Sequence, residues 1–191
     1  AAPAAAQSAL AERVTPADIM RGDLGRKYTA SLAARAQHTP VADAARRAAD
    51  GQWEEVELRL ARVPDEPPFV AHALRGLALF VRERYADAAA SLERARAAEP
   101  DDAVTAFFLG WTHEGAGDAR AALSAWRAAA HLDPTLVPAH LALADGYLRL
   151  SQPALAAQAL RAGLAALPAS PELQAKLARI QRMQESLRSQ R

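Results

Sequence analysis

The chain has no cysteine and no asparagine, lysine only at Lys27 and Lys176, and aromatics at 5% of its 191 residues. Without cysteine there is no disulfide framework, thiolate zinc site, cysteine nucleophile or lipid-accepting thiol. No stretch approaches the roughly 18 uninterrupted apolar residues that a membrane span requires, so no spanning helix is expected. Net charge is +1, and arginines do not cluster. The nearest approaches are Arg46-Arg47 and Arg82-Glu83-Arg84, the second broken by an acid, and neither is interleaved with the aromatics that single-stranded nucleic acid would need. Nucleic acid is therefore not an expected partner. Glycine (nine residues) and β-branched residues are sparse, whereas alanine makes up about a quarter of the chain. That balance favours helix and gives little reason to expect a sheet. Arginine without lysine or asparagine reads as the codon bias of a GC-rich genome.

Groups able to do chemistry near neutral pH are also few. His38, His72, His113, His131 and His140 are the candidates for proton transfer or metal ligation. No zinc-helix motif, phosphate loop or nucleophile elbow occurs. Asp101-Asp102 reads as a helix start, and Glu54-Glu55 with Glu57 as a solvated face. The expectation is a protein that is not an enzyme and carries no cofactor or metal.

What the sequence does contain is a repeat. Pro100, Pro134 and Pro168 stand 34 residues apart, and the windows ending at them begin at Phe69, Ala103 and Val137. Offset eight holds Gly76, Gly110 and Ala144. Offset twenty holds Ala88, Ala122 and Ala156, and offset twenty-seven Ala95, Ala129 and Gly163. Offset twenty-four is large each time, as Leu92, Trp126 and Leu160. Two antiparallel helices approach closely only where small residues face one another, and a bulky side chain then fills the remaining space. Proline ends the second helix because it lacks an amide donor and disfavours a helical residue before it. A degenerate unit precedes these, with Gly51, Trp53, Val56 and Leu60 aligned to Glu83, Tyr85, Ala88 and Leu92.

This ladder resembles the tetratricopeptide repeat (TPR) family, whose 34-residue pattern has Leu-Gly at offsets seven and eight, Ala at twenty and twenty-seven, an aromatic at twenty-four and Pro at thirty-two. Residues 103–136 match best, with Leu109-Gly110, Ala122, Trp126, Ala129 and Pro134. Offset four departs from the family Trp, holding His72, Ala106 and His140; offset eleven holds Leu79, His113 and Tyr147; Arg75 replaces the usual Leu. The resemblance implies an all-α, right-handed superhelical solenoid of helix-turn-helix repeats. The organisation expected is an N-terminal extension (1–36), a repeat domain (37–170, in units of about 37–68, 69–102, 103–136 and 137–170) and a C-terminal capping helix (171–191).

In that family the first helices of successive hairpins line the concave surface at offsets two, five, nine and twelve. The resemblance therefore implies a protein-binding groove lined by Leu77, Phe80, Phe107, Trp111, Glu114, Leu141, Asp145 and Leu148. Phe107 and Trp111 lie one helical turn apart, so their rings can form one platform. Internal packing against residues 15–37 and self-association remain open as other uses of the same pair. The groove lacks the Lys and Asn positions with which some members clamp a terminal carboxylate. A hydrophobic or amphipathic segment of a protein is the better ligand.

The ends carry separate signals. Ala1-Ala2-Pro3-Ala4-Ala5-Ala6-Gln7 looks like the remnant left by a signal peptidase. With the composition it sets the expectation of an exported, periplasmic protein acting in an envelope, secretion, pilus or cytochrome-maturation assembly; a cytoplasmic location is the alternative. Residues 1–14 are expected to be mobile or partly helical. Thr15-Pro16 starts a helix that Gly22 and Gly25 should interrupt, followed by another over about 27–37. Ser170-Pro171-Glu172 opens the last helix, whose Leu173, Leu177, Ile180 and Met183 should cover the final hairpin.

Overall fold

The computed structural model describes residues 15–189; the expectation for residues 1–14 lies outside them. Among the described residues there are eleven helices and no strand. Two short helices come first, α1 (Pro16–Arg21) and α2 (Asp23–Arg35). Four hairpins follow: α3 (Ala42–Ala49) with α4 (Trp53–Leu60), α5 (Pro68–Val81) with α6 (Tyr85–Ala98), α7 (Ala103–Gly115) with α8 (Ala119–Leu132), and α9 (Val137–Arg149) with α10 (Pro153–Ala166). The last helix is α11 (Pro171–Ser189). The fold is an all-α helical repeat.

Local chemistry explains where these helices begin and end. Thr15 and Asp18 form a reciprocal capping box on α1. Asp102 accepts the Thr105 amide at 2.6 Å to cap α7, and Asp118 accepts the Ala121 amide at 3.0 Å to cap α8. The four hairpin turns are built alike. Gly51, Glu83, Gly117 and Ser151 each have positive φ (74°, 59°, 81° and 58°) just past the first helix of their hairpin. In every turn the next amide reaches back to the helix, as Gln52 to Arg47, Arg84 to Leu79, Asp118 to His113 and Gln152 to Tyr147. This is the left-handed helix stop that glycine adopts most readily. Its recurrence at residue 51 places the degenerate first hairpin in the same series.

Within the second and third hairpins the small residue at offset eight receives the large one at offset twenty-four. A Cβ added at Gly76 would stand 2.6 Å from Leu92 Cγ, and one at Gly110 would stand 2.2 Å from Trp126 Nε1. Trp126 is wholly buried. The next hairpin leans on the same ring, since a Cβ at Gly146 would meet Leu123 at 2.7 Å and Trp126 at 3.1 Å. One indole thus seals its own hairpin and the joint with its neighbour. In the last hairpin a different pair meets, the His140 ring lying over Gly163. Its two nitrogens sit 3.1 Å from the Ala159 carbonyl and 3.0 Å from the Pro134 carbonyl.

The ends close the stack. α11 packs against α10 and α9 and buries Leu173 and Ile180, with Leu177 and Met183 half-buried beside them. At the other end α1 and α2 turn back against α5. Gly22 breaks the chain between them, as the sequence suggested, but Gly25 does not: it lies inside α2, buried, where an added Cβ would stand 2.5 Å from the Met20 carbonyl oxygen. Close passage of α1 over α2, rather than helix breaking, is what this glycine serves.

Candidate protein-binding surface

The repeat pattern assigns the inner wall to α5, α7 and α9, the first helices of three consecutive hairpins, and the eight residues expected on it divide into two groups. Leu77 and Phe80 on α5, Phe107 on α7 and Leu148 on α9 are 0, 1, 4 and 7% exposed. The expectation that these four line an open groove is corrected by their burial. α1 and α2 pack on α5, and Tyr28 of α2 stacks on Phe108 with ring centroids 5.7 Å apart. Phe80 and Phe107 meet Phe108 edge-on at 6.2 and 5.4 Å. At the far end α11 packs across α9.

Trp111, Glu114, Leu141 and Asp145 are only half-buried and form the accessible part of the wall, with Val104 and Pro138 beside them. Trp111 stands edge-on to Trp126 at 5.3 Å and to Phe107 at 6.4 Å. A continuous run of ring contacts therefore leads from Tyr28 through Phe108 and Phe107 to Trp111 and Trp126. The Trp111 Nε1–H has no acceptor in the protein. A wall that is already aromatic and rigid loses little entropy on gripping an apolar segment.

Both acids of the wall are spoken for. The Arg149 guanidinium forms an ion pair with Glu114 at 2.7 Å, tying α9 to α7, and lies 5.8 Å from the Trp126 ring. Lys176 donates to Asp145 Oδ2 at 2.6 Å, tying α11 to α9. The groove is consequently less acidic than Glu114 and Asp145 alone suggest. Arg149 and Lys176 were missed by the sequence reading, although Arg149 is the residue after a wall position. Beyond Asp145 a cavity of about 250 Å³ opens between α9 and α11, lined by Leu148, Ala175 and Ile180 with Glu172, Lys176 and Arg179. It has room for one or two aliphatic side chains.

The histidines do not come together as a reactive set. His140 is occupied by the two carbonyls described above, and His113 lies on the opposite side of α7, against α8 residues Ala121, Ser124 and Ala125. His72 sits 4.0 Å from Asp65, whose carboxylate receives both Nη groups of Arg75 at 3.0 and 2.7 Å. Burial lowers the His72 pKa, and Arg75 holds the Asp65 carboxyl below its usual value. Among the described residues no group of three or more His, Asp or Glu is placed to hold a metal, and no helix is long and apolar enough to cross a membrane.

No protein-family model and no curated protein matches the chain. Among solved structures it is similar to MamA RS-1 ArsTM double mutant, a TPR-containing protein, with a TM-score of 0.61 at 20% identity. The match covers 81% of this chain and 97% of the other. At that identity the likeness speaks to fold alone, and the fold is a TPR-like helical repeat.

Proposed function

We propose that the protein is a non-enzymatic scaffold of the TPR family that grips an apolar or amphipathic segment of a partner protein on the accessible half of its inner wall. The observation that carries this is the half-exposed Trp111, held edge-on between the buried rings of Phe107 and Trp126. A large aromatic held rigidly at a concave surface has the character of an interface anchor. Cavity and neutralised acids together favour aliphatic side chains over a strongly basic ligand.

A second reading, a subunit permanently built into a larger complex, draws on the burial of Leu77, Phe80 and Phe107, since half the wall is already filled. The setting we propose is a bacterial envelope or secretion assembly, and fractionation of the native cell tests it. Affinity capture separates the two functional readings. With Trp111→Ala/Leu141→Ala as bait, the scaffold reading expects the partner to be lost while circular dichroism and size are unchanged, because truncating a central aromatic removes about 2 kcal/mol or more of binding. Retention of every partner by a folded double variant contradicts it.

A further inference from the structure

The repeat does not end with the fourth hairpin. Pro171 stands 34 residues after Val137, as Val137 stands after Ala103. Leu177-Ala178 then falls at offsets seven and eight, where the two units before it hold Leu143-Ala144 and Leu109-Gly110. α11 also packs as a first helix packs: it lies against α10 as α9 lies against α8, and it touches α9 as α7 touches α5. The capping helix is therefore in the register of the first helix of a fifth unit, and the repeat pattern gives it wall positions of its own. Offsets two, five and nine are Glu172, Ala175 and Arg179, and offset twelve is Arg182. Geometry agrees with that assignment. Glu172, Ala175 and Arg179 line the cavity of about 250 Å³ together with Leu148, which holds offset twelve on α9.

This cavity joins an apolar lining to an unmatched charge. Leu148 and Ile180 are buried, and Ala175 adds a methyl group beside them. Lys176 is held by Asp145, and Glu172 accepts the Ser170 hydroxyl at 3.0 Å. Arg179 and Arg182 are exposed, and among the described residues neither is paired with an acid. Glu172 is two turns from Arg179, about 10 Å along the helix, too far for an ion pair. The other acids of the wall, Glu114 and Asp145, are already matched by Arg149 and Lys176. The C-terminal end of the wall thus carries two cations for which the wall supplies no anion.

We propose that this end of the wall recognises an acidic side chain of the partner. The occupant is a protein segment that sets an aliphatic side chain in the α9–α11 cavity and an Asp or Glu carboxylate on Arg179, with Arg182 extending the site. Charge complementarity selects it: an open guanidinium repels a basic segment and offers a carboxylate two parallel N–H donors, next to a hollow that only an apolar group fills well. The inference rests on the scaffold reading above and deepens it by giving the gripped segment a sign of charge.

The test pans the wild-type chain against a phage-displayed library of random dodecapeptides, joined to the coat protein through their C-termini so that no free terminal carboxylate is offered. Enriched peptides should carry Asp or Glu next to aliphatic residues. The strongest binder is then made as a fluorescent peptide and followed by anisotropy. Its affinity should fall at least about tenfold when its acid is changed to the amide, and equally on an Arg179→Gln/Arg182→Gln variant. Combining the two changes should cost nothing more, because each removes the same charge-assisted contact. Enrichment of basic or uncharged peptides, no enrichment, or a peptide indifferent to the arginine change overturns the proposal. A chain recovered as a dimer that excludes the peptides assigns the surface to a second copy and overturns it. Cosedimentation with phosphatidylglycerol vesicles that the arginine change abolishes, with no acidic peptide enriched, assigns it to a lipid surface and overturns it too. The exchange of acid for amide is read on the wild type, so it decides even where the variant does not fold. A peptide lost from Trp111→Ala/Leu141→Ala but kept by the arginine variant defeats this inference and leaves the scaffold reading standing.

Discussion

Gly110 and Trp126 show how single residues set the spacing of this protein. The missing Cβ lets the indole lie on the backbone of α7, and any side chain there would stand 2.2 Å from Nε1. Gly110→Ala should therefore destabilise the chain by about 1–3 kcal/mol through overpacking, read from the urea midpoint. The turn position behaves differently. Glu83 holds a φ of 59° where Gly51 and Gly117 stand in their own turns. Glu83→Gly should gain up to about 1 kcal/mol by relieving a conformation that L side chains disfavour, and a loss on the same urea assay would contradict that account. Tyr28 supplies a titration. Burial, and then the Asp102 charge, push its phenol well above the usual 10.0. The folded chain keeps this proton to higher pH than the unfolded one. Its contribution is thus complete below about pH 10 and is lost as pH rises further. Ultraviolet titration should show the Tyr28 phenol ionising later than that of Tyr85, which burial also raises but by less, and Tyr28→Phe should flatten the alkaline fall in stability.

At the scale of elements, the repeat hairpins and the capping helix depend on different interactions. α11 is held by Leu173 and Ile180, and a Cβ at Gly163 would already meet Leu173 at 2.9 Å. Leu173→Ala should cost about 2–5 kcal/mol, and the amides of α10 and α11 should exchange faster while those of α5 keep their protection. The hairpins were legible in the sequence because their contacts recur at fixed offsets: Gly76 with Leu92 and Gly110 with Trp126 both sit sixteen residues apart. α11 was legible for a related reason, its apolar spacing being that of one helical face. Packing of residues 15–37 against the wall was open as one alternative, but the partners of α2 were not legible. Tyr28 finds its partners 74 and 77 residues along the chain, outside any repeat, so no periodicity announces them. For the same reason Phe80 and Phe107 read as groove residues: their offsets are those of the wall, and only the fold shows that the wall is covered there. Glu114 and Asp145 kept their places, but Arg149 and Lys176, which neutralise them, each come from two helices further along the chain.

The whole molecule is a row of units, each leaning on its neighbours, and stability in such a row is close to a sum of units and joints. Trp126 serves two hairpins at once, so its loss should be felt along the row. Trp126→Ala should cost about 3–5 kcal/mol, and, with Trp53 replaced by Phe so that Trp111 alone reports, unfolding by fluorescence should no longer coincide with loss of helix by circular dichroism. The same architecture sets the first helices of the hairpins side by side, with Phe80 and Phe107 buried and Trp111 and Leu141 accessible. If that wall is the working surface, a partner must touch it and leave the outer helices alone. Photo-crosslinking in the native cell tests this most directly, with a benzophenone amino acid placed at Leu141 on α9 or at the exposed Gln158 on α10. The account predicts a discrete protein adduct from position 141 and none from 158. An adduct from 158 with none from 141 would contradict it.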